Sequence, residues 1–411
     1  MWRWWVVLGS LAGVLNAVTL SAAESPPLRS PSTILIDAES GQALAEQDAD
    51  APHPTDGLNQ LMVLLLAMEQ VEMGRLPLSA PVTVSPHAAT LSSAAARIPL
   101  TADKTYLLGD LMMAMAVSSA VDAEVAVAEA ISGTLPACLE LMNARAQRLG
   151  MTATHYGALA GDQGDDGSVP DATTARDVAR LAQALLRHQS ILQWASSSGF
   201  PFDHGATLLR NANRLLGAVD GVDGLMVTPA AATAAARPAP HAAATHAATT
   251  RGAAGRAAPA RSSAPRRGTF DIVATAQRQS LRLVAVVLGA PDSDVRYQRA
   301  AELLDWGFGR YDRLEVVKEG ERLNVEVRVA NGATAQLTPV AGRAVSLLRR
   351  RDEERDLQVR YQVPTMILAP VKRHQTIGEL IVEEHGAIVA VIPVVSPSSV
   401  AASGVLSAAL P

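Results

Sequence analysis

Pro54-Thr55-Asp56-Gly57-Leu58-Asn59-Gln60-Leu61-Met62 is the stretch around which the rest of the chain is arranged. Thr55 and Asp56 are helix-starting residues, because a short side-chain oxygen can cap the free backbone N–H groups of a first turn. From Leu58 to Met68 nearly every residue is apolar. That pattern predicts a helix over Gly57 to Met73, buried on all sides and entered through a tight polar turn.

Outward from this helix the pattern is α/β. Thr33 to Asp37 and Gln42 to Glu46 read as a strand pair around Ser40-Gly41. Asp110 to Ala130 is a second long apolar helical region, interrupted at Ser118-Ser119, and Leu135 to Leu149 and Thr174 to Arg187 are further helices. Phe270 to Ala276 and Leu281 to Val287 are strands joined by a polar turn, and Val295 to Trp306 is a helix leading back to them. After residue 313 short alternating segments recur between Gly and Asn turns: Leu323 to Val329, Ala333 to Leu337, Leu357 to Val363, Glu379 to Val382 and Ile388 to Val394. They predict a small all-β domain over 313–395, with 396–411 as a flexible tail.

A chain of 411 residues allows two or three domains and a large core. Hydrophobic residues make up 48% and the net charge is −5, which argues against a nucleic-acid binder. The single cysteine, Cys138, cannot form an intrachain disulfide and sits in a helical apolar pattern as core filler. Residues 1–23 read as a secretory signal: Arg3 as a thin positive region, Trp4 to Leu20 as the apolar run, Ser21-Ala22-Ala23 as the cleavage site. The alternative is an uncleaved N-terminal anchor; both place the folded part outside the cytoplasmic membrane, in the periplasm or otherwise exported. Residues 229–268 form an alanine-rich insertion with six arginines (Arg237, Arg251, Arg256, Arg261, Arg266, Arg267), His241 and His246, and no acidic residue. We expect a disordered loop, either a plain linker or an electrostatic tether to anionic polymers. Ser396 to Pro411 carries no charge, so no C-terminal amphipathic membrane anchor is expected.

Several landmarks occur in a telling order: Ser32 to Leu44, Asn59-Gln60-Leu61-Met62, Asp110-Leu111-Met112-Met113 through Asp122-Ala123, Leu141 to Ala146, Thr173 to Asp177, Arg210 to Leu216, Val222-Asp223-Gly224, Leu303 to Phe308, Ala369-Pro370-Val371-Lys372 and Ile377-Gly378. In that order they resemble the low-molecular-weight penicillin-binding proteins, the serine-type D-alanyl-D-alanine carboxypeptidases of the bacterial cell wall, over residues 30 to 400. The resemblance implies a penicillin-binding/β-lactamase-like α/β (α+β) domain over 30–312. This domain has a central antiparallel sheet and a helical region, and the small all-β domain follows it.

That family's chemistry needs a nucleophilic serine, a lysine one helical turn later as proton acceptor, a second polar motif, and a cationic strand for the substrate carboxylate. Gly57 stands in the register of the serine and Gln60 in that of the lysine. The second motif, Ser-x-Asn, aligns with Ser119-Ala120-Val121, so valine replaces the amide. The third, Lys-Thr-Gly, aligns with Met226-Val227-Thr228, so the cation is gone. Loss of the nucleophile alone costs a serine hydrolase about 10⁶-fold, roughly 8 kcal/mol of barrier. We therefore expect a pseudoenzyme that binds peptidoglycan stem peptide or an envelope protein. The alternatives are an active carboxypeptidase with displaced groups, with Ser119 as nucleophile and Asp122, an ordinary and weak carboxylate base, beside it, or a decaying, non-functional paralogue.

The remaining candidates read as structural. Ser92 and Ser93 are loop serines, and His87 belongs to a structural loop. Asp162-Gln163-Gly164-Asp165-Asp166-Gly167 has Thr173 where a calcium loop needs a bidentate glutamate. Glu383-Glu384-His385-Gly386 reads as a β turn. No metal-ligating, phosphate-cradling or nucleic-acid motif is present, and no cofactor is expected.

Overall fold

The computed structural model describes residues 32–55, 57–91, 97–159, 171–228 and 270–403. The signal segment 1–23, Asp56, Ser92 and Ser93, the acidic turn at 162–167, the insertion 229–268 and the end of the tail (404–411) lie outside the described residues.

The chain opens with β1 (Ser32–Asp37) and β2 (Ala43–Gln47), then α1 (Asn59–Glu72), β3 (Pro81–Thr83), α2 (Pro86–Thr90) and β4 (Thr105–Leu107). A helical stretch follows: α3 (Leu108–Ser118), α4 (Val121–Ser132), α5 (Leu135–Arg148), α6 (Ala175–Leu185) and α7 (Gln189–Ala195). The hairpin β5 (Gly199–Phe202) and β6 (Thr207–Arg210) leads to β7 (Val222–Val227), β8 (Phe270–Arg278), β9 (Leu281–Ala290) and α8 (Ser293–Arg310). The main sheet is antiparallel throughout, in the order β2-β1-β9-β8-β7.

All six residues of β1 are buried, so both faces of the sheet are covered. Strand periodicity divides them. Ile34 and Ile36, with Val273, Val284, Val286 and Leu288, join the core made by α1, α3, α4, α5 and α6. Leu35, with Ile272, Ala274, Leu283, Ala285 and Val287, joins Ala300, Leu303, Leu304 and Phe308 of α8 on the other face. Gly307 lets α8 settle close against the sheet: a Cβ there would lie 2.6 Å from Leu283 Cδ1 and 2.7 Å from Leu35 Cδ2.

α1 runs through the first core. Every residue from Leu58 to Met68 is buried, as its composition predicted. Each large aliphatic side chain in it contributes on the order of 2 kcal/mol of burial. Among the described residues no side chain caps the helix, and Thr55 does not make the expected cap. The helix begins at Asn59 behind Leu58, with no side-chain cap. Gly57 takes φ +76° and turns the chain, while Leu58 N–H bonds to Thr55 O at 2.7 Å. Thr55 is thereby enclosed, its hydroxyl out of reach of the first turn and without a described partner. The break at Ser118-Ser119 is as read: Ser119 closes α3 in the left-handed conformation (φ 54°, ψ 43°).

The C-terminal part is all β: β10 (Tyr311–Val317), β11 (Val327–Ala330), β12 (Gln336–Leu337), β13 (Val340–Ala341), β14 (Val345–Arg350), β15 (Leu357–Gln362), β16 (Met366–Leu368), β17 (Thr376–Glu384) and β18 (Ala387–Val395). β10 pairs with β14, β11 lies between β12 and β16, and the order β13-β18-β17-β15 makes a four-stranded sheet around a separate apolar core. The strand expected at Leu323 to Val329 is observed as Val327–Ala330, with a bend at Asn324 before it, and that expected at Ala333 to Leu337 as Gln336–Leu337, because the turn begun at Asn331 (φ +57°) takes up the residues up to 335. His385-Gly386 is the tight turn expected of that stretch. A buried ion pair ties this part to the first. Arg313 of β10 donates to both Asp37 oxygens at 2.7 Å and also pairs with Glu39. Asp37 is fully buried and further accepts Ser40 N–H at 2.9 Å.

Candidate functional site

Three segments converge at the start of α1. The first is the helix entrance itself. Asn59 Nδ2 donates to Ala158 O at 2.9 Å, and Gln60 Nε2 donates to Ser119 O at 3.1 Å. Gln60 is fully buried, so its amide is a fixed strut between α1 and the α3–α4 turn. The second segment is that turn: Ser119 is 3% exposed, and Val121 at the head of α4 is 1% exposed within the helical core. The third is β7, in which Met226 stands opposite Val273 of β8. Its neighbour Leu225 shares a cavity of about 10 Å³ with Leu61 and Leu64 of α1, Ala116 of α3, and Ile191 and Ala195 of α7. The structure thus brings Gly57, Gln60, Ser119 and Val121 to one junction, with the strand carrying Met226 beside it.

The electrostatics of this junction were not apparent in the sequence. Asp122 is not an ordinary carboxylate. Burial raises it to about 6, against the opposing effect of backbone N–H groups from Ile98 (3.1 and 3.0 Å) and Ala123 (3.0 Å). It holds the segment at Ile98 to α4. Two residues on, Glu124 is fully buried, and burial pushes its carboxyl up to about 8. Neither of its oxygens completes a hydrogen bond of ordinary geometry among the described residues, although the Gln60 side chain lies near enough to favour the ionised form. Gln60 Oε1 is likewise buried without a described partner. Burial also raises the thiol of Cys138, to about 11, with Glu124 adding to the effect. Cys138 is the core filler expected. Helical spacing could have pointed to Glu124, since Val121, Glu124, Val125 and Ala128 fall on one face of an otherwise apolar helix.

A second polar cluster lies where β7 ends. Asp271 N–H donates to Thr228 Oγ1 at 3.0 Å, and Asp271 Oδ1 accepts Gly289 N–H at 2.7 Å. His53 Nε2 lies 3.1 Å from the same Asp271 oxygen and so ties the approach to α1 to the sheet. Arg296 of α8, 4% exposed, donates to Thr228 O at 2.6 Å and Asp271 O at 3.2 Å. Its guanidinium lies over the rings of Phe270 and Tyr297. Burial lowers its affinity for its proton. It was not anticipated, because an isolated arginine in a helix carries no motif.

Glycine offers no nucleophile, and a glutamine amide takes no proton at useful pH, so Gly57 and Gln60 themselves supply neither a nucleophile nor a base. Among the described residues, no group of three or more His, Cys, Asp or Glu side chains is placed to hold a metal ion. His87 is exposed at the start of α2, behind the Ser85 cap that accepts Ala88 N–H at 3.0 Å.

The fold is that of the low-molecular-weight penicillin-binding proteins. Residues 19–236 match the D-alanyl-D-alanine carboxypeptidase family, and residues 311–402 match the C-terminal domain of penicillin-binding protein 5. The chain belongs to the D-alanyl-D-alanine carboxypeptidase family. It is 24% identical over 382 residues to D-alanyl-D-alanine carboxypeptidase DacF of Bacillus subtilis, covering 92% of this chain and 87% of that one. With DacC of Escherichia coli it is 26% identical over 388 residues, with the same coverage of 92% and 87%. Penicillin-binding protein 5 of Haemophilus influenzae superposes with a TM-score of 0.63 at 21% identity, over 92% of this chain and 99% of that one. Streptococcus pneumoniae PBP3, described as a peptidoglycan synthesis regulatory factor, gives 0.67 at 22% identity, over 90% and 99%.

Proposed function

We propose that this chain is a catalytically silent member of its family that acts by binding, with a peptidoglycan stem peptide or an envelope protein as its partner, in the exported compartment its N-terminal segment suggests. The observation that carries the reading is the pair at the α1 entrance. Gly57 has no side chain and sits at φ +76°, and the amide of Gln60 is spent on Ser119 O. Without a hydroxyl at 57 and a base at 60, acylation by the family's route loses about 8 kcal/mol of stabilisation at the first step. The relatives' names point to a substrate ending in D-alanyl-D-alanine.

The test is labelling of the purified mature chain with a fluorescent penicillin, followed by intact mass. No adduct is expected, together with a rise in melting temperature on adding muropeptides. A stoichiometric adduct would overturn the reading, and peptide mapping would then show whether Ser119 carries it.

A further inference from the structure

The buried pair Glu124–Gln60 lies outside the proposed binding role, and the inference drawn from it stands whether or not that role is correct. Glu124 faces the helical core from α4 with no exposure to solvent. The Gln60 amide faces it from α1, and the Cys138 thiol from α5. The other titratable groups on elements packed against α4 are engaged or outside. Glu69 of α1 pairs with Arg145 of α5 at 2.6 Å, and Glu72 with His188 at 2.6 Å. His87 of α2, Glu140 and Arg148 of α5 are exposed, and Asp110 of α3 is partly exposed near His204. On α4 itself, Asp122 is held by Ile98 and Ala123, and Glu129 accepts Ser85 Oγ at 3.0 Å. No cation among these compensates a charge on Glu124.

An isolated carboxylate in such surroundings is so costly that it keeps its proton. In that state Gln60 is free to bond Ser119 O. This bond joins α1 to the left-handed residue that ends α3, and so fixes the turn from which α4 departs. When the proton leaves to solvent, the amide donor beside the bare carboxylate is that of Gln60. The amide carries two N–H donors, but with one on Ser119 O the other makes no ordinary hydrogen bond to Glu124, so bonding the carboxylate requires the amide to shift.

We propose that Glu124 and Gln60 form a proton-controlled latch: with Glu124 neutral, Gln60 holds the Ser119 turn against α1, and ionisation of Glu124 draws the amide away and releases the turn. The α3–α4 junction, one part of the candidate site, thereby acquires two states set by a single buried proton.

Amide hydrogen exchange on the full chain tests this. Ser119 N–H is bonded to Met115 O at 3.0 Å and Glu124 N–H to Ala120 O at 3.1 Å, so both report on the junction. Val178 N–H of α6, bonded to Thr174 O at 2.9 Å, is the internal control. After correction for intrinsic exchange, protection at Ser119 and Glu124 is expected to fall about tenfold relative to Val178 between about pH 7 and about pH 9. In Glu124→Gln it stays level. Equal profiles in the two proteins would overturn the latch. Should Glu124→Gln fail to fold, the infrared band of a neutral carboxylic acid in the unmodified chain decides the matter. Its loss over the same pH interval as the fall in protection supports the latch. Its absence at about pH 7, or its loss with protection unchanged, overturns it.

Discussion

Glu124 makes the stability of the whole fold pH-dependent, in a direction opposite to that of a salt-bridged carboxylate. Its ordinary value is 4.5 and burial raises it to about 8. Raising the pH from 4.5 strips the proton from the unfolded chain first, while the native chain keeps it until about pH 8. Stability is therefore fully present below pH 4.5, falls through the interval, and levels off above about 8. The span, 8 minus 4.5, is about 3.5 pH units, which at 1.36 kcal/mol per unit amounts to about 5 kcal/mol. Asp122, raised to about 6, adds a fall of the same sign at lower pH, and Cys138, raised from 9.0, enters only at higher pH. Over the interval from about pH 6 to about pH 8 Glu124 dominates, with an expected loss of about 2 kcal/mol, since the native carboxyl is half ionised at the upper end. The perturbation is Glu124→Gln, which keeps the shape and removes the titration, and the assay is urea unfolding of both proteins at the two pH values. Every other residue is common to the two proteins, so the difference between them carries the result. Parallel stability curves over that interval would refute the reasoning and place the Glu124 proton elsewhere.

Two further outcomes follow from the same geometry. The double substitution Gly57→Ser with Gln60→Lys is expected to give no stoichiometric fluorescent-penicillin adduct by intact mass. Position 57 sits at φ +76°, a conformation costing a side chain about 1–2 kcal/mol, and a lysine at 60 would meet Glu124 as an ion-pair partner rather than stand as a free base. Asp37→Ala leaves Arg313, whose side chain is 4% exposed, with only the largely exposed Glu39 as an acidic partner. Calorimetry is expected to show a loss of about 3 kcal/mol, whereas Arg313→Met costs much less because no charge is stranded.

What could be read from the sequence was what periodicity encodes. The buried run in α1, the break at Ser118-Ser119, the strands at Phe270 and Leu281 and the alternating C-terminal segments all announce themselves through one-dimensional pattern, and the structure contains each of them. Thr55 has the right chemistry for a helix cap but does not make one, because the deciding fact, the left-handed turn at Gly57, is a matter of backbone geometry. The hairpin β5–β6 and helix α7 are short and were not seen, since a few residues give too little period to measure. The site divides in the same way. Gly57, Gln60, Ser119 and Val121 could be found through resemblance to a motif. Glu124 and Arg296 owe their significance to what surrounds them from α1, α5 and β7, which no local window contains.

The proposed loss of chemistry and the persistence of the fold are compatible for a physical reason. The sheet is held by the alternation of Ile34, Leu35 and Ile36 between two cores and by the uniformly apolar body of α1, none of which needs a reactive group. Replacing a nucleophile by Gly57 lets the tight turn relax into a conformation that favours glycine. Replacing an amide by Val121 adds an apolar side chain to a core that is already apolar. Placing Gln60 where a cation would otherwise stand removes a buried charge and supplies a hydrogen bond to Ser119 O in its place. Each of these changes favours packing, so on this reading the α1 entrance has been converted from a reactive site into part of the core. The carboxyl of Glu124 is the exception. It is buried, lacks a charged partner and adds nothing to packing that an apolar residue would not supply. A residue kept against its own energetic cost is the one at this junction whose removal should be most informative.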